Sequence, residues 1–175
     1  MDDSAWIFNV ETAIELRTQK KIVAEAVGTL AHSSTQELVL GPPFLLSAEQ
    51  RDYLNSTRQS DAVPSQEAAT PSTQSVRSRV FAHFASAGYF VVSGAAYGCD
   101  FLLYHHDPLL THAAALVFIE RSISPARLVE ITRIAALCKK SCLVAAVVDW
   151  QVIVKEITRV STSHTKSSYQ PRVRE

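Results

Sequence analysis

The sequence predicts a mixed α/β (α+β) fold: a small N-terminal α/β unit followed by a larger unit in which helices flank one mixed sheet. A polar segment at residues 55–74, with two prolines and almost no large apolar side chains, separates the two parts of the 175-residue chain. After it, apolar runs of strand length alternate with two segments whose apolar residues recur at helical spacing. Hydrophobic residues make up 47% of the chain, which excludes a wholly disordered protein.

The N-terminal unit, residues 1–54, has mixed secondary-structure signals. Residues 6–10 (WIFNV) predict a short strand, and residues 11–18 (ETAIELRT) predict a helix with Ile14 on its apolar face. Residues 22–24 (IVA) are compatible with the start of a helix or of a strand, and the pattern does not separate these two alternatives.

The end of this unit carries clearer local signals. Residues 40–43 (LGPP) predict a turn, because glycine and proline favour turn conformations. Ser47 is placed to N-cap a helix over residues 48–54, with Gln50 at the capping-box position. The composition of residues 55–74 then predicts a flexible linker.

The C-terminal unit, residues 75–160, begins with a helix whose apolar side chains recur at helical spacing. These side chains belong to Val76, Val80, Phe81 and Phe84. Gly88 stands where a glycine is expected to end that helix. Three strand-like runs follow, at residues 89–93, 100–104 and 112–119.

A second helix and two further strands complete this unit. Pro125 marks the first turn of a helix that continues to about Lys139. Its apolar stripe comprises Leu128, Ile131, Ile134, Ala135 and Cys138. Residues 143–148 (LVAAVV) predict a central strand buried on both faces, and residues 151–160 alternate as a more exposed strand. Residues 161–175 predict a polar tail.

The charge distribution, the cysteine content and the length of the apolar runs limit the kinds of ligand, compartment and membrane association expected for the chain. The 17 basic and 17 acidic residues balance, but residues 1–54 carry a net charge of −4 and residues 55–175 one of +4. A polyanion is therefore expected to bind the second part. Three cysteines cannot all pair within one chain, which favours a reducing compartment. No apolar run approaches the roughly 20 residues that span a bilayer, so we expect an intracellular protein without a membrane segment.

Three ionisable side chains are expected to meet at one end of the C-terminal sheet. Tyr104 ends a strand and His112 begins the next apolar run, with an Asp-Pro turn signal between them. Lys140 closes the second helix just before the apolar strand, and Lys139 is a second candidate. A phenol, an imidazole and an ammonium group can cleave RNA without a metal or cofactor, because the attacking oxygen is the substrate's own 2′-hydroxyl. Such a trio is common, however, and a strand-end tyrosine is more often a packed residue with a solvated hydroxyl.

Two sequence blocks carry a more specific pattern. The first is residues 97–104 (YGCDFLLY), followed by an Asp-Pro pair and by His112 in a His-Ala pair. The second is Arg133, seven residues before Lys140 and ahead of an apolar strand. Together these blocks resemble the signature of the tRNA-splicing endonuclease family, and the resemblance covers residues 75–160.

The N-terminal unit is similar to one subunit type of this family. Residues 27–30 (VGTL), residues 40–46 (LGPPFLL) and Glu49 resemble the start of the eukaryotic catalytic subunit assigned to the 3′ splice site. The resemblance implies a restriction-endonuclease-like domain that cleaves intron-containing pre-tRNA without a metal, leaving a 2′,3′-cyclic phosphate and a 5′-hydroxyl. It also implies a heterotetramer, with a structural subunit bound through the C-terminal strand and a second catalytic subunit. The implied location is the nucleus, with the cytoplasm or the mitochondrial surface as alternatives.

The resemblance also assigns roles to individual residues. It implies that His112 is the general base and Tyr104 the general acid, while Lys140 stabilises the transition state. Arg133 matches an arginine that clamps a bulged base by cation–π stacking, in family enzymes across subunits. Trp150 follows a strand end, where it either stacks on RNA or caps the core.

Departures from the family pattern leave alternatives open. Residues 95–96 are Ala-Ala where the family often has Gly-Lys, and residues 105–106 are His-His where glycine is common. The main alternative is a non-catalytic structural or RNA-binding subunit of the same complex. A metal-dependent nuclease is disfavoured, because no lysine has an acidic residue two positions before it. A scaffold that pairs through residues 151–160 is a further alternative.

Overall fold

The computed structural model describes residues 5–29, 40–60 and 75–158. Within these ranges the chain forms two sheets, one in each predicted unit. The mixed α/β fold class is therefore confirmed. The predicted tail, residues 161–175, and the predicted linker from residue 61 onward lie outside the described residues.

Three strands and two helices form the described part of the N-terminal unit. They are β1 (Trp6–Ile7), α1 (Val10–Lys20), β2 (Glu25–Thr29), β3 (Leu40–Leu45) and α2 (Ala48–Ser60). The sheet is antiparallel in the order β1-β3-β2, so β3 is its central strand. The strand predicted over residues 6–10 is shorter, because α1 begins within it. A small core of Ile7, Ile22, Leu46 and Leu54 holds strands and helices together.

The turn predicted over residues 40–43 is wrong, because these residues are the first part of β3. Pro42 and Pro43 together oppose one residue of β2, Val27, and so form a β-bulge. A bulge tolerates proline because it already interrupts the ladder of backbone hydrogen bonds. Beside the bulge, Gly28 pairs with Gly41, and a Cβ atom on Gly28 would collide with the carbonyl oxygen of Pro42.

The first helix and the connection after it follow from local backbone signals. α1 confirms the helix predicted over residues 11–18, and the Asn9 side chain caps its first turn. Residues 22–24, for which helix and strand remained open, belong to neither. Lys21 ends α1 in a left-handed conformation (φ 57°), and Ile22 then points into the small core with 1% of its surface exposed.

The second helix begins as predicted and ends later. Gln50 N donates to Ser47 Oγ (3.3 Å) while Ser47 N donates to Gln50 Oε1 (2.9 Å), which confirms the capping box. α2 continues to Ser60, so the first six residues of the predicted linker are helical. The hydroxyl groups of Ser56 and Thr57 donate back to the Tyr53 carbonyl oxygen, so both hydroxyls find an acceptor within the helix.

One five-stranded mixed sheet and two α-helices form most of the described C-terminal unit. Its elements are α3 (Val76–Ser86), β4 (Phe90–Ser93), β5 (Phe101–Tyr104), β6 (Ala115–Ile119), α4 (Pro125–Cys138), β7 (Ser141–Val148) and β8 (Gln151–Ile157). The strand order is β4-β5-β6-β7-β8, and every neighbouring pair is antiparallel except β6 and β7. Those parallel strands are joined by the crossover helix α4. The predicted order of helix, three strands, helix and two strands is confirmed.

Each face of this sheet packs against one helix. α3 covers the face that carries Phe101, Leu103 and Val117. α4 covers the other face, which carries Leu102 and Phe118. Successive residues of β5 therefore enter opposite cores, because side chains alternate along a strand.

The burial of β7, β8 and α4 tests three sequence predictions. β7 places Val144 in the α4 core and Ala145 in the α3 core, which confirms a strand buried on both faces. β8 is an edge strand with alternating exposure, as predicted. Ile131 and Ala135 are the buried residues of α4, whereas Leu128 is 38% exposed, so its place in the predicted apolar stripe is wrong.

The two units share an interface built by α2 and α3. The rings of Tyr53 and Phe81 meet edge to face, with centroids 6.0 Å apart. Nearby, the Ser78 hydroxyl donates to Asp52 Oδ2 at 2.6 Å. The N-terminal unit is thus packed against the C-terminal core through apolar and polar contacts.

Candidate active site

Strand register brings the three predicted catalytic residues to the same end of the C-terminal sheet. Ala114 N donates to the Leu103 carbonyl oxygen at 2.7 Å, and Ser141 N donates to the Ala114 carbonyl oxygen at 3.3 Å. The end of β5 and the starts of β6 and β7 therefore lie side by side. The candidates Tyr104, His112 and Lys140 each lie within two residues of these contacts. We call this edge the site end of the sheet.

Tyr104 is the last residue of β5, and its side chain is partly buried against the α4 core. Burial raises the pKa of the Tyr104 phenol, and the neighbouring Tyr97 and Cys99 raise it further. The phenol is therefore neutral throughout the physiological pH range. In this state it can donate a hydrogen bond, or a proton, to an oxygen atom of a bound molecule.

His112 lies in the connection that precedes β6, which begins three residues later than predicted, at Ala115. Its side chain is exposed, while the next residue, Ala113, is buried. On the other side, the Thr111 backbone N–H donates to the Asp107 carbonyl oxygen at 3.1 Å. The backbone is thus anchored on both sides of an imidazole that faces solvent.

The two candidate lysines follow α4. Lys139 ends the helix in a left-handed conformation (φ 52°), and Lys140 N donates to the Ala135 carbonyl oxygen at 3.1 Å before the chain enters β7. Both lysines line a groove of about 280 Å³ between the end of α4 and the end of β8. Glu156 and Thr158 line its other side.

The three candidate catalytic side chains are free to contact a ligand. Within residues 5–29, 40–60 and 75–158, no hydrogen bond or ion pair engages the Tyr104 hydroxyl, the His112 ring or the Lys140 ammonium group. A base, an acid and a cation on adjoining strand ends can act together on one phosphodiester.

The two predicted RNA-binding residues, Arg133 and Trp150, lie in different parts of the C-terminal unit. Arg133 is exposed on α4, the helix that runs toward the site end and ends next to Lys140. Trp150 lies in the tight turn between β7 and β8, at the opposite end of the sheet. The eight residues of β7 separate it from Lys140, a length of about 26 Å at the usual rise of a strand. The structure therefore does not bring Trp150 to the other four predicted site residues, and its RNA-stacking role stays a prediction.

Comparison with known families identifies both units. Residues 75–155 match the family described as tRNA intron endonuclease, catalytic C-terminal domain. Residues 1–63 match the family described as TSEN34-like, N-terminal domain. The chain belongs to the tRNA-splicing endonuclease family. Its C-terminal domain is that of an endoribonuclease of tRNA splicing. No curated protein matches the chain.

The N-terminal unit of this endonuclease contributes two contacts to the site end, which the sequence did not predict. Arg17 Nε donates to Asp107 Oδ2 at 2.7 Å, and its Nη2 pairs with Oδ1 of the same carboxylate. Lys21 Nζ donates to the Gly88 carbonyl oxygen at 2.6 Å. No local signal marks these pairs, because the partners lie far apart in the sequence.

The signature aspartate of the endonuclease domain, Asp100, lies at the opposite end of the sheet. Its Oδ1 accepts from Arg77 Nη1 at 2.6 Å, and its Oδ2 accepts from Ile119 N at 2.7 Å. Arg77 Nε in turn donates to Glu49 Oε1 at 2.6 Å, on the N-terminal unit. These contacts give Asp100 a structural role at the end of the sheet away from the candidate catalytic residues.

Two general properties of the endonuclease chain concern metals and membranes. Among the described residues, no three His, Cys, Asp or Glu side chains lie close enough together to hold a metal ion. None of the helices in that part of the chain is both long and apolar enough to cross a membrane.

Proposed function

We propose that this chain is the catalytic subunit that cleaves intron-containing pre-tRNA at the 3′ splice site. The proposed reaction is a metal-independent, lyase-type transesterification that leaves a 2′,3′-cyclic phosphate and a 5′-hydroxyl. The observation that supports this proposal is the register of β5, β6 and β7, in which the end of β5 adjoins the starts of β6 and β7, the strand ends next to Tyr104, His112 and Lys140. The match to a TSEN34-like N-terminal domain supports the assignment to one subunit type.

His112 and Lys140 would act on the attacking side of the reaction. The exposed imidazole of His112 accepts the proton of the ribose 2′-hydroxyl, and the 2′-oxygen then bonds to the adjacent phosphorus. Negative charge grows on the two non-bridging oxygens as this bond forms. The Lys140 ammonium group, in the groove beside α4, stabilises that charge.

Tyr104 would act on the leaving group. As the bond between phosphorus and the 5′-oxygen breaks, that oxygen takes the phenolic proton and leaves as a hydroxyl. The phenolic proton stays on Tyr104 at neutral pH, since partial burial raises the pKa of this group, and it is therefore present for transfer. No external nucleophile is required, since the 2′-oxygen belongs to the RNA.

Substrate binding and assembly follow from the remaining exposed features. The guanidinium of Arg133 would stack on a bulged base of the pre-tRNA, in its own site or in that of a second catalytic subunit. β8 is an edge strand, which supports pairing with a structural subunit in a heterotetramer. Trp150 is 67% exposed beside this edge, so any stacking on RNA would occur away from the chain's own site.

We place the assembly in the nucleus, with the cytoplasm or the mitochondrial surface as alternative locations.

Product analysis tests the reaction and the splice site together. The assembly containing this chain would be incubated with an intron-containing pre-tRNA in EDTA, and the ends of each fragment would be mapped. We expect a cut at the 3′ junction with a 2′,3′-cyclic phosphate and a 5′-hydroxyl, and no such cut with His112→Ala. Linear 3′-phosphate ends without any cyclic intermediate, or a cut that requires Mg²⁺, would contradict the proposed chemistry.

A further inference from the structure

One ion pair lies at the site end of the sheet, and it joins the N-terminal unit to the loop that carries His112. Arg17 on α1 holds both oxygens of the Asp107 carboxylate. The two residues are 90 positions apart in the sequence, and their side chains are 23% and 30% exposed. The bidentate geometry is the arrangement that fixes an arginine and a carboxylate in both position and orientation.

Asp107 is the centre of the hydrogen bonds that shape this loop. Its Oδ1 accepts from Leu109 N at 2.8 Å, and its carbonyl oxygen accepts from Leu110 N at 2.9 Å. The same carbonyl accepts from the backbone N–H and the hydroxyl of Thr111, both at 3.1 Å. Thr111 precedes His112, so the position of the imidazole depends on where Asp107 is held.

A second contact places the end of α1 beside Tyr104. Lys21 Nζ donates to the Gly88 carbonyl oxygen and lies 5.8 Å from the centre of the Phe90 ring. Phe90 is paired in register with Tyr104 on β5. The same short stretch of the N-terminal unit therefore contacts the supports of both the candidate acid and the candidate base.

We infer that Arg17 is a positioning residue of the nuclease site: by holding the Asp107 turn, it fixes His112 relative to Tyr104. The inference rests on the proposed function of these two residues. It gives the N-terminal unit a part in the reaction besides folding or assembly. The Asp107 carboxylate stays ionised in mildly acidic solution, since its hydrogen bonds from Arg17 lower its pKa.

The test compares Arg17 variants in the intact assembly under single-turnover conditions. Arg17→Ala should reduce the cleavage rate at saturating pre-tRNA by about 10- to 100-fold, because small displacements of a catalytic group have effects of that size. The half-saturating RNA concentration should change little, since the Arg17 guanidinium is already paired with Asp107. Arg17→Lys should recover part of the rate, because one ammonium group replaces only part of the bidentate contact.

A second variant and a double mutant keep the test valid if Arg17→Ala folds poorly. Asp107→Asn keeps the acceptor for Leu109 N but removes the charge that holds Arg17. The double variant Arg17→Ala/Asp107→Asn should be no slower than the slower single variant, because both substitutions break the same contact. Additive losses would show that the two residues act independently and would overturn the inference.

Hydrogen exchange gives a readout that does not depend on activity. Amides in residues 105–113 should exchange faster in Arg17→Ala than in the parent. The matched control is Arg127→Ala, which also breaks an arginine–carboxylate contact, with Glu120 at 2.8 Å, at the opposite end of the sheet. It should leave both the exchange of this loop and the cleavage rate unchanged. Unchanged exchange in Arg17→Ala would contradict the inference.

The outcomes separate this inference from the proposed function. If His112→Ala cleaves like the parent, the proposed function is wrong, whatever Arg17 does. If His112→Ala abolishes cleavage while Arg17→Ala retains the parental rate, the proposed function stands and the positioning role of Arg17 is wrong.

Discussion

The two ends of the C-terminal sheet use charged and polar side chains in different ways. At the end of the sheet opposite the site end, charged side chains form ion pairs with one another. Arg77 pairs with Asp100 at 2.6 Å and Arg127 with Glu120 at 2.8 Å. There the guanidinium of Arg79 also lies 4.4 Å from the centre of the Trp150 ring. At the site end, the candidate catalytic side chains have no such partner within the described part of the chain.

Within this one domain, the paired side chains at one end of the sheet therefore contribute to stability, and the unpaired side chains at the other end are available for reaction. Side chains that bond to one another hold the loops and helices of the opposite end in place. Side chains that remain unpaired on anchored strand ends are available to a substrate. The Arg17–Asp107 pair and the hydrogen bond from Lys21 to the Gly88 carbonyl oxygen are exceptions at the site end, and both contact the backbone or loops that support the site rather than the candidate reacting groups.

Apart from the loss of the general base His112, the largest expected effect is on the cleavage rate and comes from the site end. Lys140→Ala should slow single-turnover cleavage of pre-tRNA by about 100- to 1,000-fold, since it removes the cation that stabilises transition-state charge. The melting temperature should change little, because the ammonium group has no partner in the described residues. The matched control is Lys139→Ala, its neighbour at the end of α4, which should have a much smaller effect. A larger loss with Lys139→Ala would transfer the role to that residue.

At the end of the sheet opposite the site end, we expect substitutions to change the free energy of unfolding rather than the cleavage rate. Gly94 packs against Cys99, and an added Cβ would collide with its sulfur and lie 2.9 Å from its carbonyl oxygen. We expect Gly94→Ala to lower the free energy of unfolding by about 3 kcal/mol, measured by denaturant titration. Gly98→Ala is the control, because a Cβ there meets only an Ile134 methyl at 3.6 Å and the cost of φ 71° is about 1 kcal/mol. Equal losses would show that the close approach to Cys99 does not matter.

A smaller stability effect is expected for the signature aspartate. Asp100→Ala leaves Ile119 N and Arg77 Nη1 without their acceptors and should cost about 2 kcal/mol of unfolding free energy. The cleavage rate of the folded protein should stay at the parental level. Glu130→Ala serves as a control, since its ion pair with Arg127 is more exposed and contributes at most about 1 kcal/mol. A slower rate without lost stability would place Asp100 in the catalytic machinery.

The smallest expected effect is a shift in an alkaline titration. Because burial raises the pKa of Tyr104, one tyrosine should ionise above the ordinary value of about 10, and Tyr104→Phe should remove that transition. The folded state then binds more protons than the unfolded state in this range, so stability is lost as the pH rises through the folded pKa. Tyr97→Phe should move the transition slightly downward, since burial is the larger cause. A Tyr104 titration at or below the ordinary value would contradict this account of its burial.

The placement of the site was predictable because it depends on local order along the chain. Two strands joined by a short loop bring Tyr104 and His112 together, and a crossover helix returns Lys140 to the same end. The same reasoning, carried one strand further, would have placed Trp150 at the opposite end. An aromatic residue after a strand predicts stacking on RNA by itself, and only the direction of β7 shows that Trp150 lies at the opposite end of the sheet.

Other features depend on contacts that no local pattern encodes. Pro42 and Pro43 look like a turn until the partner strand is known, because only the pairing with β2 reveals a bulge. The Arg17–Asp107 pair joins two units across 90 positions of the sequence, and arginine and aspartate are too common for their pairing to be inferred from sequence. Long-range pairs of this kind require the fold itself.

The most direct test of the central claim compares the two ends of the sheet in one experiment. Intact assemblies carrying His112→Ala or Arg127→Ala would be assayed in parallel for single-turnover cleavage of pre-tRNA in EDTA, with melting temperatures recorded. We predict that His112→Ala loses about 100- to 10,000-fold in rate at the 3′ junction with unchanged melting, because it removes the general base. Arg127→Ala should keep the parental rate. Parental cleavage by His112→Ala at that junction would place the active site in another subunit and make this chain a structural one.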